Sequence, residues 1–126
     1  MKIRVETANA PKAIGPYSQA IKANGFLFIS GQIPVDPQTG QMTAVDSTAQ
    51  TKQVMENLGA ILNAEGLRFA DIVKATIFLT DLTDFARVND AYGAYFESDP
   101  PARATVQVAA LPKGAKVEIE AIAALR

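Results

Sequence analysis

Residues 115–122 read AKVEIEAI, and whether this stretch is a strand decides the fold. In an extended chain successive side chains point to opposite faces, so Val117 and Ile119 face one way while Glu118 and Glu120 face the other. Two carboxylates then lie along one face of an otherwise apolar strand. An unpaired buried carboxylate is costly and tends to take up a proton, so this pair calls for either a partner or a chemical task.

Working outward from it, RATVQVAAL (103–111) reads as the preceding strand, separated by Pro112, Lys113 and Gly114. Before that, Phe85, Val88, Tyr92 and Phe96 recur at helical spacing, with Thr83 as a candidate cap and Pro100-Pro101 as the stop. DIVKATIFL (71–79) is rich in β-branched and aromatic residues and reads as a largely buried strand. From Ser47 to Glu65, Val54, Leu58, Ile61 and Leu62 form one face of an amphipathic helix, with Asp46 or Ser47 as N-cap and Gly66 as its end. Ser18–Ala23 and Phe26–Ser30 flank Asn24-Gly25, the pair that best tolerates the positive φ of a type I′ hairpin turn. A short alternating segment, Lys2–Glu6, opens the chain, and PVDPQTG (34–40) is loop. The order ββ(β)αβαββ predicts an α+β fold: two helices on one face of a single sheet. The other face, in so aliphatic a chain, invites burial against further copies.

Composition narrows the chemistry. The 126 residues are 48% hydrophobic and 20% charged, which suits one globular unit without a linker. Twelve Lys+Arg against 13 Asp+Glu leave a formal charge of −1, without the basic footprint of a nucleic-acid binder. No apolar run reaches membrane-spanning length and no signal-peptide pattern opens the sequence, so a cytoplasmic protein with neither membrane nor nucleic-acid partner is expected. Cysteine and histidine are both absent. That removes thiolate nucleophiles, Ser-His pairs and the commonest metal ligands, and leaves acid–base work to Glu, Asp, Tyr or Lys.

The candidate site residues sit at strand ends and in turns. In 103–110 alternation puts Arg103, Thr105 and Gln107 on one face. Arg103 follows a rigid Pro-Pro-Ala segment, and its planar fork suits a carboxylate, either of a ligand or, in an ordinary ion pair, of Glu118 or Glu120. If the last two strands form a simple hairpin, Glu118 pairs near Val108, about 16 Å from Arg103 at roughly 3.3 Å per residue. Either those strands are not neighbours, or the two residues meet between subunits. Tyr17, in the GPY turn, either covers the core edge or lines a site. Ser30-Gly31 is either a plain strand end or a place where backbone N–H groups approach a ligand. Asn89 reads as an ordinary solvated helix position, and Phe85, Tyr92, Tyr95 and Phe96 read as core stripe.

Four blocks carry a resemblance: AIGPYSQAI (13–21), ISGQIPVDPQTG (29–40), DIVKATIFLTDLTDFARVN (71–89) and PPARATVQVAALPKGAKVEIEAIA (100–123). In order and spacing they resemble the reactive intermediate deaminase family, RidA or YjgF, almost from end to end, including its Pro-Ala-Arg and Val-Glu-Ile elements. The resemblance implies a chorismate-mutase-like fold, a single mixed sheet with two helices on one face, assembled as a homotrimer with a site in each cleft between subunits. It implies 2-iminobutanoate/2-iminopropanoate deaminase activity, hydrolysis of imine and enamine acids such as 2-aminoacrylate and 2-aminocrotonate to 2-oxo acids and ammonia, with no cofactor or metal. By position, Arg103 would hold the substrate carboxylate, Glu118 would activate water, and Tyr17, Ser30 and Gly31 would line the pocket, with Asn89 beside them. A cysteine common in the family is Thr105 here, which would face the substrate without a thiol. Glu120 is expected to make a structural ion pair or hydrogen bonds within the sheet. The competing expectations are a trimer that senses 2-oxo acids without turnover and a ribonuclease acting as a translation inhibitor.

Overall fold

The computed structural model covers residues 1–126. Asn24 and Gly25 both have positive φ, 52° and 83°, and turn β2 (Ala20–Ala23) into β3 (Phe26–Gln32) as the Asn-Gly pair predicts. β1 (Ile3–Val5) pairs antiparallel with β2. Then follow α1 (Ser47–Ala64), β4 (Ile72–Leu79), α2 (Phe85–Gly93), β5 (Ala102–Gln107) and β6 (Val117–Ala124). The six strands form one sheet in the order β1-β2-β3-β6-β4-β5. Every pairing is antiparallel except β4 with β5, and α2 supplies the crossover that a parallel pair requires.

The last two strands are therefore not hairpin neighbours. β4 lies between them, and β6 is central, flanked by β3 and β4. Its alternation is realised as expected: Val117, Ile119, Ala121 and Ala123 are buried, while Glu118 and Glu120 turn away. Leu27, Ile29, Ile77 and Leu79 share the buried face and pack with Val54, Met55, Leu58, Ile61 and Leu62 of α1 and Val88 and Tyr92 of α2. Both helices lie on this side. The opposite face presents Phe26, Phe28 and Val106, each about two-fifths exposed.

Helix ends follow local chemistry. The Asp46 carboxylate accepts a hydrogen bond from the Ala49 N–H at 2.8 Å and caps α1, and Gly66, at φ 68°, lets the chain leave it. The cap before α2 is not Thr83. Asp81 takes that part, accepting from the Thr83 N–H and hydroxyl at 2.9 and 2.7 Å, because a short 3₁₀ turn at Leu82–Asp84 precedes the helix. α2 also stops at Gly93, so Phe96 packs on Phe69 and Tyr92 from outside the helix. No helix is long and apolar enough to cross a membrane.

The loop after β3 is held by one buried amide. Asn57 Nδ2 on α1 donates to the carbonyls of Ile33 and Val35 at 3.2 and 2.9 Å. Asn57→Leu would leave the buried Val35 carbonyl without this donor, at about 1–3 kcal/mol, while the Ile33 carbonyl keeps the Val35 N–H at 2.7 Å. Thermal unfolding should show a melting temperature lowered by several degrees, and a wild-type value would refute this role.

Candidate active site

β3 carries an extra residue where it passes β6: Ile29 faces Ala121 and Gln32 faces Ile119, so Ser30-Gly31 forms a bulge. A Cβ on Gly31 would overlap Glu118 Oε2. Glycine here makes room by close approach and not by a turn: the Glu118 carboxylate occupies the side-chain position and would have to swing away from any Cβ. Glu118 is half-buried, stands opposite Phe78 on β4, and its carboxyl is held above the usual carboxylate range, first by burial and then by the neighbouring Glu120 carboxylate. Glu120 is exposed. The expected structural pairing of Glu120 is not found: the ion pairs of the chain are Lys22–Glu65, Arg87–Asp84 and Arg126–Asp71, and Glu120 enters no side-chain hydrogen bond. Across the ladder it meets Thr76, not a base.

Next to Gly31 lies the turn that carries Tyr17. Gly15, at φ 114°, bends the chain so that the Tyr17 N–H reaches the Gly15 carbonyl at 2.9 Å, and the Tyr17 hydroxyl accepts from the Ile14 N–H at 3.3 Å. The ring stays half-exposed. Ser30 fastens the turn to the bulge: its Oγ donates to the Ser18 carbonyl at 2.5 Å and its N–H to the Gln19 carbonyl at 2.9 Å. Tyr17 and Gly31 line a cleft of about 320 Å³ together with Gln32, Ile33 and Lys113.

Arg103 occupies the other side of the sheet. It lies level with Ala75, whose side chain is buried, so Arg103, Thr105 and Gln107 of β5 face the helices. Its guanidinium carbon is 5.7 Å from the centroid of Phe85 and 5.2 Å from that of Tyr92. An ion pair of Arg103 with Glu118 or Glu120 does not form, because those carboxylates are on the opposite face. Arg103 has no acidic partner in its own chain.

Two buried side-chain oxygens in the chain lack a hydrogen-bond partner, Thr105 Oγ1, on the same face of β5 as Arg103, and Oη of Tyr92, whose ring lies 5.2 Å from the guanidinium carbon. Burial raises the Tyr92 phenol above its ordinary value, and the charge of Arg103 partly offsets that. Asn89 is exposed on α2, four residues after Phe85 and three before Tyr92, and so on the same helix face. Phe85 and Tyr92 are what the sequence reading missed as site residues. Phe85 is two-fifths exposed rather than core, and the available signal was their seven-residue spacing on the helix leading to the arginine strand.

The chain thus presents two half-sites. Tyr17, Ser30, Gly31 and Glu118 cluster at the β3 bulge, while Arg103, Thr105, Tyr92, Phe85 and Asn89 cluster between β5 and α2. From Glu118 to Arg103 is three residues along the strands and two strands across, about 14 Å between backbones at roughly 3.3 Å per residue and 4.8 Å per strand. The sheet itself stands between the side chains. One chain does not bring them together.

Known proteins resemble the chain over nearly its whole length. Protein DfrA of Myxococcus xanthus is 61% identical over 121 residues, 94% of this chain and 92% of that protein. The 2-iminobutanoate/2-iminopropanoate deaminase of Capra hircus is 53% identical over 119 residues, 94% of this chain and 87% of that one. Among solved structures, YyfA of Yersinia pestis, described as a protein of unknown function of the conserved Rid family, matches with TM-score 0.97 and 52% identity over 99% of this chain and 100% of its own. The family described as Endoribonuclease L-PSP matches residues 7–125, a span that contains the bulge, the aromatic pair, Arg103 and Glu118 alike, and the chain belongs to that family, the YjgF/RidA proteins.

Proposed function

We propose that the protein hydrolyses imine and enamine acids of the 2-aminoacrylate and 2-aminocrotonate type to 2-oxo acids and ammonia, at a site shared by two copies of the chain. The observation that carries this reading is an arginine with no acidic partner on one face of the sheet and a carboxyl of raised pKa on the other. Support comes from relatives about half identical, goat and human among them, that are named 2-iminobutanoate/2-iminopropanoate deaminase. A homotrimer that buries the exposed Phe26, Phe28 and Val106 would bring Arg103 of one copy, with Thr105 and Asn89 beside it, to Glu118, Tyr17, Ser30 and Gly31 of the next. The proposed setting is the cytoplasm.

In this mechanism Arg103 binds the substrate carboxylate through two parallel N–H···O bonds and fixes the imine carbon. Glu118, deprotonated, takes a proton from water as the oxygen bonds to that carbon and the C=N electron pair moves to nitrogen. The protonated Glu118 then delivers its proton to the nitrogen of the resulting amino alcohol. The C–N bond breaks as the hydroxyl proton passes through Glu118 to the departing nitrogen, so that the carbonyl forms and ammonia leaves. A carboxyl held above the usual range suits both transfers, since it gives back at neutral pH the proton that it accepted. Tyr17 bounds the cleft at the reacting carbon. A ribonuclease reading has less support in a chain with a formal charge of −1 and no histidine.

Arg103→Ala should keep its fold by circular dichroism and lose turnover, each charge-assisted hydrogen bond being worth about 1.5–3 kcal/mol. Glu118→Gln should lower kcat by about 10²–10⁴ while its melting temperature at neutral pH is held or raised, since burial penalises the charged form that glutamine removes. The two inactive variants, unfolded and refolded together, should regain activity at about a quarter of wild-type sites, because a random trimer forms an intact cleft only where the intact Arg103 of one variant meets the intact Glu118 of the other. No recovery would refute the shared site.

The pH profile tests Glu118 separately. Activity needs the carboxylate, so it falls as pH drops through a pKa that lies above the ordinary value. Glu120→Gln removes one of the two causes of that elevation, and the acid limb of kcat/KM should move to lower pH. An unmoved limb would show that Glu120 does not act on the base.

A further inference from the structure

Arg103 is held in an unusual way for a buried-side arginine: by ring faces and not by an acid. Phe85 and Tyr92 are seven residues apart on α2, about 10.5 Å along the helix at 1.5 Å per residue. The guanidinium carbon lies 5.7 and 5.2 Å from their centroids, so one guanidinium lies over both rings. Stacking engages the flat faces of a guanidinium and leaves its in-plane N–H donors unspent. A carboxylate partner would fix the side chain equally well but would occupy the donors and neutralise the charge.

We propose that Phe85 and Tyr92 are positioning residues for Arg103, an aromatic clamp that aims the guanidinium from β5 toward an incoming acid while leaving its hydrogen-bonding edge free. Tyr92 forms the inner jaw, being buried and packed against Phe96. Phe85 forms the outer jaw at the surface. The inference rests on Arg103 being the acid-binding group of the proposed reaction.

Phe85 is the jaw to test, because its removal leaves the core intact. 2-Oxobutanoate, a product-like acid, serves as the probe by titration calorimetry, alongside steady-state kinetics on imine generated in situ and thermal melting. Phe85→Leu should weaken 2-oxobutanoate binding about fivefold and raise KM in proportion, with kcat and melting temperature near wild type. Phe85→Tyr, which restores a ring face, should recover the affinity. Arg103→Lys should not, since an ammonium has no flat face to clamp. Unchanged affinity in Phe85→Leu, or equal weakening in Phe85→Leu and Phe85→Tyr, would overturn the clamp and leave the deaminase reading untouched. A wild-type protein that binds 2-oxobutanoate without turning over imine, with Phe85→Leu still weakened, would defeat the deaminase reading and support the clamp. No binding of 2-oxobutanoate by the wild type would overturn the clamp, and no binding together with no turnover would overturn both.

Discussion

The position of β6 between β3 and β4 is the constraint from which the rest follows. A central strand is paired along both edges, so its register is doubly determined and its side chains have no choice of face. Ile119 is level with Gln32 on one side and with Ile77 on the other. A slip of one residue would drive Glu118 and Glu120 under the helices and expel Val117 and Ile119 from the core. The hydrophobic effect that buries the four core residues of β6 is therefore the same force that holds the two carboxylates on the open face. Burial against the bulge, with the neighbouring Glu120 carboxylate as the lesser cause, then lifts the Glu118 carboxyl.

Much of the fold was legible because local chemistry and tertiary packing agree. The Asn24-Gly25 turn, the Asp46 cap and the face of α1 needed only short-range rules. Strand order was less accessible. The loop at Pro112–Gly114 reads like a hairpin connection, yet β5 runs parallel to β4 at the sheet edge, and what decides this is the crossover through α2 rather than anything within the loop. Alternation correctly put Arg103, Thr105 and Gln107 on one face. It could not say that this face is opposite to that of Glu118, since relative facing depends on which strands intervene.

The same limit applies to the site. Arg103 and Glu118 are the residues that charge and residue type single out, and each has the surroundings that its proposed task requires. Their failure to meet within a chain is a property of the sheet. Phe85 and Tyr92 escaped notice for a different reason: an aromatic stripe on a helix is normally core, and only the three-dimensional neighbour, an unpaired guanidinium, separates a clamp from a hydrophobic contact. The unpartnered hydroxyls of Tyr92 and Thr105 mark that neighbourhood in a way that composition does not reveal.

Gly31 carries an implication for how sequences of this fold vary. Its missing Cβ is the room taken by the Glu118 carboxylate, so the two positions form one steric unit although 87 residues separate them in the chain. Any side chain at 31 must evict the carboxylate, and any shortening at 118 opens space that a side chain at 31 can fill. Substitution at the two positions is therefore coupled: with glutamate present, a side chain at 31 moves the carboxylate from the place it holds here, and with glutamate lost it does not. A homologue with alanine or serine at the position of Gly31 would hold its carboxylate in a different place from the one seen here, so that single residue would report a rebuilt cleft.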